Sequence, residues 1–230
     1  TIFSAGLELN LDVGGATVTS LTGFKDHNYF YAEDFDGTPL RINDYRQDQT
    51  GQYFEQELRV VSTTEGPFSW YAGASYYNEE IDVLFGQGQD EEVFCQYYYG
   101  LSCSDYFAGG GYAFTPSPVG LVEENAVRGR YHGWAGYIDA TYAFSEKFDV
   151  GAGIRYSRDT KDFGIQGLAP VSQLGNAFAL GFNSTDFLTA RDSWDAFTPR
   201  FIARYRPNDD WLVFASATRG FKAGGFGSFT

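Results

Sequence analysis

The sequence predicts an all-β protein, an antiparallel up-and-down β-barrel that crosses a membrane with its strands. Three observations lead to this fold class. Apolar and polar residues alternate with period two along much of the chain, as in strands with one apolar face. Short polar turns alternate with long connections, which is typical of outer-membrane barrels. Aromatic residues stand at the ends of the clearest strands, where membrane barrels carry their interfacial girdles.

The clearest pattern covers 131–144 and 148–157, which the polar turn Ser145-Glu146-Lys147 joins as a hairpin. A strand that is tilted by about 40° climbs roughly 2.5 Å per residue, so about ten residues cross an apolar band of 25 Å. The alternation predicts Ala152 and Ile154 on the lipid side and Gly153 and Arg155 on the lumen side. The aromatic residues predicted to form the two girdles are Trp134 and Tyr156 at one interface, and Tyr142, Phe144 and Phe148 at the other.

Six further strands complete three more hairpins. They are predicted at 7–11 and 16–26, at 52–61 and 68–79, and at 197–206 and 211–219, with turn residues between the members of each pair. The remaining connections are long, at about 30–51, 80–129 and 160–194, and such loops are uncommon inside compact soluble domains. A soluble β-sandwich explains the alternation equally well, but it explains the aromatic ends and the unequal connections less well.

Composition and motifs exclude several functions. The net charge is −14, from 30 acidic and 16 basic residues, which argues against nucleic-acid binding. Mean hydropathy is −0.31 and no run of about 18 apolar residues occurs, so no transmembrane helix is predicted. The glycine-rich segments 151–153 and 220–227 match neither the dinucleotide nor the phosphate-loop spacing. With two His residues and no Ser-His-Asp context, we expect no catalytic residue, no metal site and no cofactor.

Four short motifs occur in the order found in one family of membrane proteins. They are Thr22-Gly23-Phe24-Lys25-Asp26; Phe54-Glu55-Gln56-Glu57-Leu58-Arg59-Val60-Val61-Ser62 followed by Gly66-Pro67-Phe68-Ser69-Trp70-Tyr71-Ala72-Gly73; Gly151-Ala152-Gly153-Ile154-Arg155-Tyr156-Ser157; and Arg219-Gly220-Phe221-Lys222-Ala223-Gly224-Gly225-Phe226. Together they span nearly the whole chain. The sequence resembles the barrel of the TonB-dependent outer-membrane receptors.

The resemblance implies a 22-stranded barrel with an N-terminal plug domain. Residues 1–230 would then supply about eight strands as a partial outer-membrane barrel domain, without the plug and without the N-terminal segment that engages TonB. The implied protein is not an enzyme. It imports a scarce ligand across the bacterial outer membrane with TonB-derived energy. Ferric siderophores are the most common ligand class in the family, and haem, cobalamin and saccharides are alternatives.

The same resemblance implies four partners: outer-membrane lipid, lipopolysaccharide, a small-molecule ligand, and the TonB complex, reached through the N-terminal region. Two other interpretations remain open from the sequence. One is a small closed barrel that acts as an adhesin or a porin-like channel, and the other is a secreted β-sandwich binding module.

The longest predicted loop, 80–129, holds the candidate site residues. An envelope location predicts a disulfide between Cys95 and Cys103. The same loop is rich in aromatic residues, which suit either ligand capture or a small aromatic core that orders the loop. The candidate ligand-binding residues are Phe94, Tyr97, Tyr98, Tyr99, Tyr106, Phe107 and Tyr112. On the lumen side, ion-pair ladders are predicted among Arg155, Arg200, Arg204, Arg206, Glu55, Glu57 and Arg59.

Overall fold

A computed structural model describes residues 1–175 and 182–227, in which eight strands form one antiparallel sheet. The strands are β1 (Ile2–Asp12), β2 (Ala16–Asp34), β3 (Asp44–Ser62), β4 (Phe68–Gln89), β5 (Leu121–Ser145), β6 (Phe148–Leu168), β7 (Leu188–Asn208) and β8 (Trp211–Thr218). All eight predicted strands are confirmed. Residues 176–181, within the predicted loop 160–194, and residues 228–230 at the chain end lie outside the described residues.

The order of the strands in the sheet is their order along the chain. Within residues 1–175 and 182–227, β1 pairs with β2 alone and β8 with β7 alone, so the sheet keeps two open edges. A closed eight-stranded barrel would pair β1 with β8, and a β-sandwich would need a second sheet. Both alternative folds are therefore wrong for the described residues, whose strands form one open antiparallel sheet.

Short turns join the strands at one end of the sheet, as predicted. Gly14 and Gly15 stand between β1 and β2 with φ of 71° and 85°, a conformation that a tight hairpin requires and that glycine adopts without steric cost. Between β5 and β6, the backbone N–H of Phe148 donates to Ser145 Oγ at 3.1 Å. These turns fix the register of each hairpin.

At the other end, the strands run further than the apolar pattern predicts. The described connections there are 35–43, 90–120 and 169–187, so the predicted loops 30–51, 80–129 and 160–194 are each wrong at both ends. For example, β4 and β5 stay paired as far as Gln89 opposite Leu121. On the outer part of β5, polar residues such as Glu123 and Asn125 are buried on the inward face, so the ladder of backbone hydrogen bonds continues while the apolar alternation is interrupted.

The two faces of the sheet differ as the alternation predicts. On the outward face, Ile138 stands opposite Ile154, and the two side chains are 52% and 45% exposed. On the inward face, the Arg155 guanidinium carbon lies 5.5 Å from the centre of the Tyr137 ring. The predicted girdle residues contact each other, with ring centres 5.3 Å apart for Trp134–Tyr156, 4.9 Å for Tyr142–Phe144 and 5.7 Å for Phe144–Phe148.

A small apolar core lies on the inward face toward the long-loop end. Val83, Val127 and Phe163 form its buried centre. Strand β8 ends at Thr218, one residue before the predicted end, and the chain then returns to this face, where Phe226 stacks on Phe163 at 5.4 Å. A Cβ atom at Gly224 would lie 2.5 Å from the Trp194 ring, so this return requires glycine.

Candidate functional site

The connection between β4 and β5 contains two helices, which were not predicted from the sequence. Helix α1 (Glu91–Tyr99) begins after Asp90, whose carboxylate accepts from the Val93 backbone N–H at 2.9 Å. It ends at Gly100, which adopts the left-handed conformation with φ 68°. Helix α2 (Cys103–Gly109) begins after Ser102, whose hydroxyl accepts from the Asp105 backbone N–H at 3.0 Å. No helix of the described chain is long and apolar enough to cross a membrane.

We call residues 90–120, the connection that contains both helices, the helical cap. Cys95 and Cys103 join α1 to α2 through a disulfide, and both residues are fully buried. The Cys103 backbone N–H also donates to Glu92 Oε2 at 3.0 Å. Closing a loop of nine residues stabilises the folded cap by about 2.5 kcal/mol when only chain entropy is counted.

The buried carboxylate of Glu91 links the helical cap to the connection between β6 and β7. Glu91 is 5% exposed, and its Oε2 accepts from the Ser117 backbone N–H at 2.8 Å. Its Oε1 accepts from the Ser172 hydroxyl, which belongs to the connection between β6 and β7, at 2.5 Å. Nearby, the Thr115 backbone N–H donates to the side chain of Gln173 at 2.8 Å. Neighbouring loops are therefore held in one arrangement.

The connection between β2 and β3 is tied to the helical cap through Arg41. The Arg41 side chain donates to the Val119 carbonyl at 3.3 Å, and its own carbonyl accepts from the Asp90 backbone N–H at 2.9 Å. Within this connection, the Asp36 carboxylate accepts from the Thr38 hydroxyl at 2.5 Å and from the Asn43 backbone N–H at 2.9 Å. These hydrogen bonds lower the pKa of Asp36 to about 2, and the hydrogen bond from Thr38 has the largest effect.

Ring contacts join six of the seven candidate ligand-binding aromatics, namely Phe94, Tyr97, Tyr98, Tyr99, Tyr106 and Phe107, and burial divides the candidates into an inner and an outer group. Ring centres are 4.7 Å apart for Phe94–Tyr98, 4.2 Å for the stacked pair Tyr99–Tyr106, and 5.5 Å for Tyr106–Phe107. Phe94 is 3% exposed, whereas Tyr97, Tyr98 and Tyr112 are 69%, 52% and 72% exposed. Burial, together with the hydrogen bond to Tyr106, raises the pKa of the Tyr99 phenol.

The buried rings agree with a small aromatic core that orders the loop, while ligand capture by the exposed rings stays a prediction. Phe94 is buried within the helical cap, and Phe107 is half-buried against Phe114, with ring centres 5.3 Å apart. Tyr97, Tyr98 and Tyr112 present their rings to solvent. This surface is held in place by Arg41, Glu91 and Ser172, none of which was predicted from the sequence to do so. Only the helix caps, Asp90 before Glu91-Glu92 and Ser102 before Asp105, carried a local signal for its helices.

A groove of about 540 Å³ lies on the inward face of β3–β7 and is lined mainly by polar and charged residues. Part of the predicted ion-pair ladder is present there and at the short-turn end. Arg200 pairs with Asp139 at 2.6 Å, while Arg204 and Arg206 both pair with Asp149, at 2.5 and 2.9 Å.

The rest of the predicted ladder uses other partners. Glu57 accepts from the Tyr137 hydroxyl at 2.6 Å, and Glu55 accepts from the Tyr53 hydroxyl at 2.9 Å. Arg155 donates to Ser157 at 3.0 Å. Arg59 lines the groove, and its Nε atom is buried without a hydrogen-bond partner among the described residues. The prediction that Arg59, Arg155, Glu55 and Glu57 form ion pairs is thus wrong for this part of the chain, because tyrosine and serine hydroxyls take those places.

The whole chain, residues 1–230, matches a family described as "TonB dependent receptor-like, beta-barrel". Among curated proteins, the pesticin receptor of Yersinia pestis is 32% identical over 92 residues, which cover 40% of this chain and 12% of that protein. The pesticin receptor of Yersinia enterocolitica matches with the same identity and coverage. This chain therefore matches only about an eighth of the length of these relatives.

One solved structure has a similar fold. The crystal structure of the ferric yersiniabactin uptake receptor FyuA from Yersinia pestis superposes with a TM-score of 0.65 and 14% sequence identity. The superposition covers 93% of this chain and 27% of that one.

Proposed function

This chain belongs to the TonB-dependent receptor family, and we propose from that premise that it forms part of a receptor that imports a scarce ligand. Members of the family are outer-membrane receptors and transporters rather than enzymes, so the chain lies in the outer membrane. Energy for import comes from the TonB complex, which the complete protein engages through a region outside residues 1–230.

We propose a ferric siderophore as the ligand. Support comes from the similar fold of a ferric yersiniabactin uptake receptor and from the matches to pesticin receptors. The helical cap supports capture of a small molecule, since Tyr97, Tyr98 and Tyr112 offer exposed rings on a surface that is already ordered. Aromatic rings provide large contact area at a low entropy cost, and a pre-ordered loop reduces that cost further.

The observation that carries this proposal is the way the helical cap is fixed. The Cys95–Cys103 disulfide, Glu91 and Arg41 join three connections of the sheet at the long-loop end. A loop that served only to cover the strand ends would not need exposed rings on a cross-linked support. We infer that this end of the sheet faces the cell exterior, where the ligand arrives, and that the short turns face the periplasm.

The test replaces exposed rings and leaves the buried ones in place. In the complete receptor, Tyr97→Ser combined with Tyr98→Ser should weaken binding of a ferric siderophore at least tenfold, which is about 1.4 kcal/mol. Val119→Ser is the control, since Val119 is a half-exposed apolar residue of the same cap and is not aromatic. Whole-cell binding measures the affinity, and heat-modifiable migration confirms that the barrel assembles. Unchanged affinity with an assembled barrel would show that the exposed rings do not contribute to ligand capture.

We also propose what covers the two faces of the sheet. The outward band between the girdles contacts acyl chains of the outer membrane, because its side chains are apolar and exposed. A plug domain, supplied by another part of the complete protein, occupies the inward groove beside Arg59, Arg155 and Arg200.

A further inference from the structure

Three polar side chains are buried on the inward face of β4 and β5, close to the start of the helical cap. Gln89, Glu123 and Asn125 are 0%, 1% and 1% exposed. They share the face of the small apolar core, because Gln89 lies six positions beyond Val83 on β4, and Glu123 and Asn125 lie four and two positions before Val127 on β5. We call these three residues the buried polar cluster.

The members of the buried polar cluster are close enough to share one ligand. Gln89 pairs with Leu121, two positions from Glu123, so Gln89 and Glu123 are diagonal neighbours across the two strands. Diagonal neighbours on one face of an antiparallel pair lie about 7–8 Å apart. Glu123 and Asn125 are two residues apart on β5, which is about 7 Å. A ligand placed over Glu123 is therefore within reach of all three side chains.

Both amide side chains of the buried polar cluster have atoms that lack a partner. Gln89 Oε1, Gln89 Nε2 and Asn125 Oδ1 are buried without a hydrogen bond to any part of residues 1–175 and 182–227. Leaving a buried amide unpaired is unfavourable, and buried polar atoms that protein groups do not satisfy usually contact an ordered water or an ion. The unpaired oxygens therefore indicate a bound species between β4 and β5.

The charge at this end of the sheet favours a cation. The connections that follow β4 and β6, residues 90–120 and 169–187, contain no Lys, Arg or His, and 90–120 contains four acidic residues. The buried carboxylate of Glu91 accepts from the Ser117 backbone N–H and the Ser172 hydroxyl, which are neutral donors. Burial of carboxylates among neutral groups is unfavourable, and a cation bound nearby offsets that cost.

The chemistry of the ligand atoms selects calcium. Ca²⁺ takes six to eight oxygens from carboxylates, Asn and Gln amides, backbone carbonyls and water, whereas Mg²⁺ keeps several of its waters and needs near-ideal octahedral geometry. The described residues contain no group of three or more His, Cys, Asp or Glu side chains that could hold a metal ion. A metal site here therefore depends on amide oxygens, which explains why the sequence analysis expected none.

We propose that the buried polar cluster binds a calcium ion. The Glu123 carboxylate, Gln89 Oε1 and Asn125 Oδ1 coordinate the ion, and water completes its coordination shell. A further water accepts from Gln89 Nε2. The ion joins the ends of β4 and β5 where the helical cap begins, and it is separate from the exposed rings of the cap. The site does not depend on which ligand the receptor imports.

The test measures calcium binding to the complete receptor after a chelator has removed divalent cations. Calorimetric titration with CaCl₂ should give a dissociation constant of about 10⁻⁴–10⁻³ M, the range of extracellular calcium modules. Glu123→Gln should weaken binding at least tenfold. Glu124→Gln is the control, because Glu124 is the next residue on β5, faces outward and pairs with Arg46. Asn125→Asp adds a carboxylate to the ligand set and should tighten binding severalfold, so the test does not depend on a variant that removes a ligand.

Hydrogen exchange locates the bound ion. Free calcium at ten times the dissociation constant should raise the protection of amides near Gln89 and Glu123 about tenfold, while amides near Ile154 should not change. No calcium binding at millimolar concentration would overturn the proposal and leave the unpaired oxygens to water alone. Equal weakening in Glu123→Gln and Glu124→Gln, or equal affinity for Mg²⁺, would also overturn it. Siderophore binding on the same preparations tests the proposed function separately.

Discussion

The barrel wall and the helical cap are stabilised in opposite ways. In the wall, each strand is held by continuous pairing with its neighbours, and large side chains such as Ile154 and Phe201 remain exposed to the membrane side. In the cap, Phe94, Cys95 and Cys103 are buried, and a few contacts between distant residues hold the segment. The wall therefore depends on a pattern repeated along the chain, whereas the cap depends on individual residues.

The largest expected effect tests the wall. Ile154→Arg places a charge on the lipid-facing side at mid-bilayer and should lower the free energy of unfolding by about 2–4 kcal/mol. Denaturant unfolding of the complete receptor in lipid bilayers measures the loss. Ile154→Val is the control, because it removes one methylene group and adds no charge. If arginine were tolerated as well as valine, the assignment of lipid and lumen faces would be wrong.

The strands of the wall could be predicted from the sequence because their pattern repeats along the chain. Alternation along 131–144 and 148–157 placed both strands and their faces, because a membrane imposes one apolar side on each strand. The pattern stopped predicting strands where buried polar residues such as Glu123 and Asn125 interrupt the apolar face, so the outer part of β4 and β5 was interpreted as loop.

The candidate site could be predicted only in part. With two Cys residues in the chain, one pairing was available, and the structure contains it. The aromatic residues were identified as a group, but their division into buried Phe94 and exposed Tyr97 depends on the helix that carries them. The Glu91–Ser172 hydrogen bond joins residues 81 positions apart, and no local pattern encodes such a contact.

A smaller effect, confined to the cap, is expected when the disulfide is removed. Cys95→Ser combined with Cys103→Ser should destabilise the cap locally by about 2.5 kcal/mol, or roughly sixtyfold in hydrogen-exchange protection of the α1 amides. Amides of β5 and β6 in the membrane should keep their protection, since the wall does not depend on the cap. Ser104→Ala, next to Cys103, is the control. Equal loss of protection in cap and wall would show that the two regions unfold together.

The smallest expected effect concerns the connection 35–43 between β2 and β3, which contacts the helical cap. It follows from the pKa of Asp36. This pKa is lowered from 3.8 to about 2 in the folded protein. A carboxylate with a lowered pKa stabilises the folded connection at pH values above 3.8, and this stabilisation is lost as the pH falls toward 2. Amide chemical shifts of Ile42 and Asn43, which donate to Asp36, should therefore change between pH 4 and 2.

The Asp36 titration also shows how far the cap depends on its neighbour. Because the Asp90 backbone N–H donates to the Arg41 carbonyl, the Asp90 amide should respond in the same pH window, while wall amides near Ile154 should not. In Asp36→Asn, which has no titrating group at this position, the shifts should be absent at Ile42 and Asn43, and the response of Asp90, which has a carboxylate of its own, should be smaller than in the wild type. If Asp90 responded equally in the wild type and in Asp36→Asn, the cap would be held by Glu91 and the disulfide without help from this connection. If amides near Ile154 responded, the wall and the cap would not be independent of each other.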